Sequence, residues 1–110
     1  MDTIVKTIDE INAKLIEDAA LVLYFSSPSC SVCQVLRPKV MHALATAYPA
    51  MGRYHADLAL YPELAAHFQV FSAPTLIVFF QGREFIRKGR AVSVAGLLQE
   101  IKRPYELMMS

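Results

Sequence analysis

Cys30 and Cys33 are the two cysteines of this 110-residue chain, and Ser31 and Val32 separate them. Thiols at this spacing act as redox partners or as metal ligands. The segment that follows, from about Cys30 to Tyr48, carries Val32, Val35, Leu36, Val40, Leu44 and Ala47 as the apolar positions of a long helix. The pair therefore stands at a helix N-terminus, where unpaired amides and the positive end of the dipole favour thiolate over thiol. Cys30, nearer the terminus, is expected to be the more acidic and more exposed sulfur, with Cys33 buried behind it. A thiolate so placed attacks a disulfide, and a second thiol one turn away resolves the mixed disulfide. A structural zinc site usually takes four protein ligands. Besides the cysteines the chain offers His42, His55 and His67, without paired spacing. No metal is expected, and His42 and His67 read as surface or boundary residues.

Several elements must hold the pair in place. Ile4 to Lys6 is a short strand candidate. Thr7 to Glu10 fits a capping box, with Thr7 as N-cap and Glu10 reaching back to its amide. Ile8, Ile11, Leu15 and Ile16 then recur at helical spacing. Leu21-Val22-Leu23-Tyr24-Phe25 is a continuous apolar run, as in a strand buried on both faces. Ser26 to Ser29 breaks it just before the cysteines. Pro38 falls inside the long helix and is expected to kink it. Arg53 to Asp57 reads as a strand, and Tyr61 to Phe68 as a short helix with Pro62 in its first turn. Thr75 to Gln81 is a second buried strand, joined through Gln81-Gly82 to Glu84–Lys88 as an antiparallel hairpin. Ser93 caps a last helix with Leu97, Leu98 and Ile101 facing the core. Pro104 is expected to end it, leaving 104–110 as a tail. The order β-α-β-α-β-α-β-β-α predicts one α/β domain over 1–110 with its core at about 4–103: a mixed sheet of four to five strands with helices on both faces.

Composition narrows the function. The chain is 55% hydrophobic and 19% charged, with a net charge of +1. The charged share lies below the usual value of about 25%. Disorder is excluded, and some apolar surface is open to a partner. The basic footprint of a nucleic-acid binder is missing; Arg83, Arg87, Lys88 and Arg90 read as a solvated hairpin edge. The longest apolar runs are too short to span a bilayer. The N-terminus has no secretory pattern, so the expected location is cytoplasmic, where a C-x-x-C pair is seldom a static cross-link. No phosphate loop, paired carboxylates or Ser/His/Asp arrangement occurs, and no cofactor is expected. Met41, Met51 and the phenylalanines at 68, 71, 79, 80 and 85 read as core, and Met108 and Met109 as tail.

From about Val5 to Ile101 the chain resembles the thioredoxin family. The resemblance rests on Leu23-Tyr24-Phe25, Cys30-Ser31-Val32-Cys33, Pro38, Ala73-Pro74-Thr75, the Gln81-Gly82 turn and Gly89. It implies a thioredoxin fold, and a cis proline at Pro74 beside the cysteines. It also implies a shelf, Ser72, Ala73, Pro74 and Thr75, on which an extended substrate lays its backbone. The implied partners are proteins with disulfides and an electron donor such as a reductase or glutathione system. Arg90 falls at the expected rim of that groove. Three departures stand out. Ser29 replaces the family's tryptophan, and Ser31-Val32 replaces Gly-Pro. Tyr24 and His55 take the places of a buried acid and its lysine neighbour.

Tyr24 and His55 lie in strands expected to be adjacent. A tyrosine hydroxyl within an apolar strand needs a partner, so the two are expected to form a polar pair beneath the cysteines. His55, or a water on it, would then accept the Cys33 proton. The leading functional expectation is a protein-disulfide reductase working through Cys30 and Cys33. A binding or adaptor module with little turnover, and a net oxidant or isomerase, are the alternatives.

Overall fold

A computed structural model describes residues 2–90 and 92–109 of the chain. Five strands, β1 (Thr3–Ile4), β2 (Ala20–Ser26), β3 (Gly52–Asp57), β4 (Thr75–Phe80) and β5 (Arg83–Lys88), form one sheet. Four helices, α1 (Ile8–Glu17), α2 (Ser31–Ala47), α3 (Pro62–His67) and α4 (Val94–Met109), surround it. The sheet order is β1-β3-β2-β4-β5. β2 is central, parallel to β3 and antiparallel to β4, and its residues Ala20 to Phe25 are all buried. This is the mixed sheet that the alternation of elements predicts.

Side chains alternate across a strand, and β2 divides the core in two. Ala20, Val22 and Tyr24 face a cluster that holds Cys30, Cys33, Val40, Leu44, Leu97 and Ile101. Leu21, Leu23 and Phe25 face the other, with Ile11, Leu64, Ala65 and Ile77. The first cluster is roofed by α2 and α4, the second by α1 and α3.

Local chemistry sets the boundaries. The Thr7 hydroxyl oxygen accepts from the Glu10 amide at 3.1 Å. The Glu10 carboxylate in turn accepts from the Thr7 hydroxyl and from the amide of Lys6, one residue earlier than the capping-box expectation. Gln81 and Gly82 take φ of 56° and 77°, the positive pair that a primed hairpin turn requires. Pro38 lies inside α2, which runs unbroken from Ser31 to Ala47.

Two expectations fail. Residues 104–109 are not a tail: Pro104 sits inside α4, which continues to Met109. The missing amide of Pro104 is offset by packing beyond it. The Tyr105 ring meets Tyr48 with centroids 4.6 Å apart, its hydroxyl accepts from the Ala50 amide at 3.2 Å, and Met108 packs on the cysteine-side cluster. Ser110 lies outside the described residues. The second failure concerns Phe71 and Phe85, which are not core: they are 85% and 55% exposed. Phe85 is on the edge strand, edge-on to Phe80 at 5.2 Å, and Phe71 stands in the loop before β4.

Candidate active site

The site begins where β2 ends. Ser27–Ser29 turn the chain, and the Cys30 amide donates to the Ser27 carbonyl at 3.0 Å. Cys30 is the N-cap of α2, and its Sγ accepts from the Cys33 amide at 3.3 Å. Ser, Thr, Asp or Asn usually fills this position; here a sulfur does. Cys30 and Cys33 are joined by a disulfide, with their Cα atoms 5.4 Å apart. Their exposures are 7% and 4%. The expected contrast between an exposed and a buried sulfur is thus slight in the closed disulfide.

The strand register brings the second half of the site alongside. Phe25 of β2 pairs with Thr75 of β4, so residues 72–74 lie next to the exit of β2 toward the cysteines. The Ala73–Pro74 bond is cis. Pro74 is buried, Ala73 and Thr75 are half-buried, and Ser72 is exposed. Ala73 packs against the cluster that contains both cysteines, and the Thr75 hydroxyl donates to the Ser72 carbonyl at 2.8 Å. A cleft beside this segment is lined by Phe71, Ser72, Thr75, Arg87, Lys88 and Gly89. A Cβ added at Gly89 would lie 3.8 Å from the Pro74 carbonyl oxygen, which puts Gly89 beside the cis bond. Arg90, next in the chain, is exposed.

Arg87 departs from the reading of a solvated edge. Its guanidinium donates to the carbonyl oxygens of Phe68 and Gln69, at 2.7 and 3.3 Å, and to both carboxylate oxygens of Glu84. It ties β5 to the loop that leads to residues 72–75. On the outer side of α2, Val35 is 59% exposed and shares a shallow surface with Ser31, Val32, Leu36 and Lys39.

The expected Tyr24–His55 pair is the main correction. The two residues are register partners on β2 and β3, but no hydrogen bond joins them. His55 Nδ1 lies 2.6 Å from Asp2 Oδ2. Arg37 Nη1 lies 2.6 Å from the same oxygen and 3.2 Å from His55 Nδ1. A carboxylate outcompetes a neutral phenol for these donors because the hydrogen bonds it accepts are charge-assisted. So close an approach to a carboxylate oxygen requires Nδ1 to carry the proton, which leaves the ring's lone pair at Nε2. Burial would raise the Asp2 carboxyl, but the Arg37 hydrogen bond and the charges of His55 and Arg37 hold it below the usual value. Burial pushes His55 below 6.5; the Arg37 charge acts in the same direction and Asp2 against it. Tyr24 is 0% exposed and its hydroxyl has no partner. Burial pushes its pKa up to about 12, with the Arg37 charge opposing.

Sequence reasoning missed Asp2, Arg37 and the clamp by Arg87. Arg37 was within reach of it, because it follows Cys33 by one helical turn and shares its side of α2. Asp2 carried no such signal, since only the pairing of β1 with β3 brings it beside His55. His42 and His67 are exposed, as expected. Among the described residues, no group of three or more His, Cys, Asp or Glu is arranged to hold a metal ion.

A disulfide-bonded C-x-x-C pair at the N-cap of a helix, beside a mixed five-stranded sheet, is the working part of a thiol–disulfide oxidoreductase. Residues 2–103 match the family model described as Thioredoxin, and the chain belongs to the thioredoxin family. The thioredoxin-like protein YdfQ of Bacillus subtilis is 35% identical over 85 residues, which are 77% of this chain and 75% of that protein. Thioredoxin-1 of Saccharomyces cerevisiae is 27% identical over 84 residues, covering 76% of this chain and 81% of its own. Among solved structures, oxidised mitochondrial thioredoxin 3 of Saccharomyces cerevisiae superposes with a TM-score of 0.80 at 22% identity, over 92% of this chain and 93% of that one. The fold is the thioredoxin fold.

Proposed function

We propose that the chain reduces disulfides in extended segments of other proteins. The observation that carries this reading is the disulfide between Cys30 and Cys33 at the cap of α2. In the reduced protein, the Cys30 thiolate attacks a substrate sulfur. A mixed disulfide forms, and the other substrate sulfur leaves as a thiolate. Cys33 then gives up its proton and attacks Cys30 Sγ. The Cys30–Cys33 bond closes, and the second substrate sulfur leaves reduced. Two electrons have passed to the substrate, and a dithiol donor, a reductase or the glutathione system, restores the pair. Ser72, Ala73, Pro74 and Thr75 hold the substrate backbone, and Phe71 with the Val32–Val35 surface supplies apolar contact on either side. The proposed compartment is the cytoplasm, where a dithiol is kept reduced.

The test is reduction of insulin disulfides with a chemical dithiol as donor, together with trapping of substrates. The Cys33→Ser variant is expected to accumulate mixed disulfides through Cys30, and Cys30→Ser to accumulate almost none. Equal trapping by both variants would reverse the assignment. Binding of disulfide proteins without turnover would make the chain an adaptor.

A further inference from the structure

Tyr24 is fully enclosed, and its hydroxyl makes no hydrogen bond. Leaving a buried donor unmade is costly, and in native structures such groups are uncommon enough to need a reason. Bulk solvent does not touch this one, and nothing in the closed disulfide form accepts from it. His55, its register partner, is bound to Asp2, and Asp2 accepts from both His55 and Arg37. The buried cluster to which Tyr24 belongs brings together aliphatic and thioether side chains, both cysteines and Tyr48, whose own hydroxyl donates to the Leu98 carbonyl. Of the two site sulfurs in that cluster, Cys30 Sγ already accepts the Cys33 amide. Cys33 Sγ accepts none of the hydrogen bonds described.

The two sulfurs differ again once the bond between them opens. A disulfide sulfur is a weak acceptor; the thiol sulfur left by reduction is free to turn toward a donor, and it becomes a strong acceptor whenever it gives up its proton. Cys30 keeps its helix amide in either state. Cys33 becomes an acceptor inside an apolar cluster with no donor of its own. Arg37, one turn along α2, brings that side of the helix over the Tyr24–His55 pair, its guanidinium reaching His55 and its charge acting on Tyr24.

We infer that the Tyr24 hydroxyl is a donor held in reserve for the Cys33 sulfur: unpartnered while the disulfide is closed, it hydrogen-bonds Cys33 Sγ in the dithiol form and thereby sets the reduction potential. In the step concerned, an external dithiol gives two electrons and two protons to the Cys30–Cys33 bond and is itself oxidised to a disulfide. No proton leaves Tyr24. The hydroxyl is a fixed donor, where an acid at this place would be a proton acceptor. It favours the reduced state twice over, by relieving its own isolation and by stabilising the sulfur that has appeared. It acts through Cys33 and is a positioning residue.

The inference rests on the exchange chemistry proposed above only in that the pair must cycle. Its test reads the couple and not substrate turnover, so a chain that failed to reduce insulin would still report on Tyr24. The equilibrium of the full chain with glutathione buffers is measured for the parent and for Tyr24→Phe, which keeps the ring and removes the oxygen. The variant is expected to favour the disulfide by about five- to tenfold, a tenfold change being about 30 mV for a two-electron couple. The Cys33 thiol, followed by its Cβ chemical shift against pH, is expected to titrate higher in the variant, because the thiolate has lost a donor. A purely structural hydroxyl would change the stability of both redox forms alike and leave the equilibrium where it was. In the parent protein itself, the Tyr24 hydroxyl proton is expected to show a nuclear Overhauser contact to the Cys33 Cβ protons after reduction. A glutathione equilibrium within about twofold of the parent, with Cys33 titrating unchanged, overturns the inference. So does a reduced parent protein in which the hydroxyl shows no contact with Cys33.

Discussion

At the scale of single residues, the place of a buried acid and a lysine is taken by a phenol that binds nothing and an imidazole that binds elsewhere. His55 and Asp2 make the protein acid-sensitive in a defined order. His55 has a folded pKa below its unfolded value of about 6.5. The unfolded chain therefore binds its proton more readily. The stability involved is whole above pH 6.5 and is lost as pH falls through the folded value. The Asp2 carboxyl is also depressed, so its contribution is present above the ordinary carboxylate pKa and lost at still lower pH. The urea midpoint of the parent is expected to fall between pH 7.5 and about 5.5, and that of His55→Gln to fall less. Parallel curves for the two proteins would show that His55 does not carry this limb. The adjacency of Tyr24 and His55 was readable from the sequence, because strands joined through one helix commonly lie side by side and the family resemblance pairs these two positions. Their failure to bond was not, because it depends on Asp2, a residue outside every periodic pattern.

At the scale of elements, caps and turns read well from sequence, and Pro104 read poorly. Thr7 with Glu10, and Gln81 with Gly82, act within a few residues of themselves, so local spacing suffices to find them. Pro104 is a local stop signal overridden by distant partners, Tyr48 and Ala50, which no window of sequence contains. The last turns of α4 thus fasten the connection between α2 and β3. Tyr105→Ala is expected to remove the ring contact with Tyr48 and the acceptor for the Ala50 amide. The expected cost is about 1–3 kcal/mol, measured by urea unfolding, with faster amide exchange at Ala50 as the local sign. A variant as stable as the parent would mean that the helix beyond Pro104 holds itself. Phe71 and Phe85 were misread for a related reason: aromatic character marks the core in general, whereas the loop before β4 and an edge strand keep their rings outside.

At the scale of the whole molecule, thioredoxin architecture places every sulfur of the couple on one side of the sheet. Tyr24, Cys30 and Cys33 share a cluster with α2 and α4, while Leu23 belongs to the cluster under α1 and α3. Leu23→Ala, at 0% exposure, is expected to cost about 2–5 kcal/mol of stability while its glutathione equilibrium stays with that of the parent. A shift comparable to that of Tyr24→Phe would show that the sheet transmits packing changes between its faces. If the equilibrium holds, β2 works as an insulating wall. The α1/α3 side then becomes a chamber in which heat resistance can be bred or eroded by drift, while the chemistry next door never registers the change.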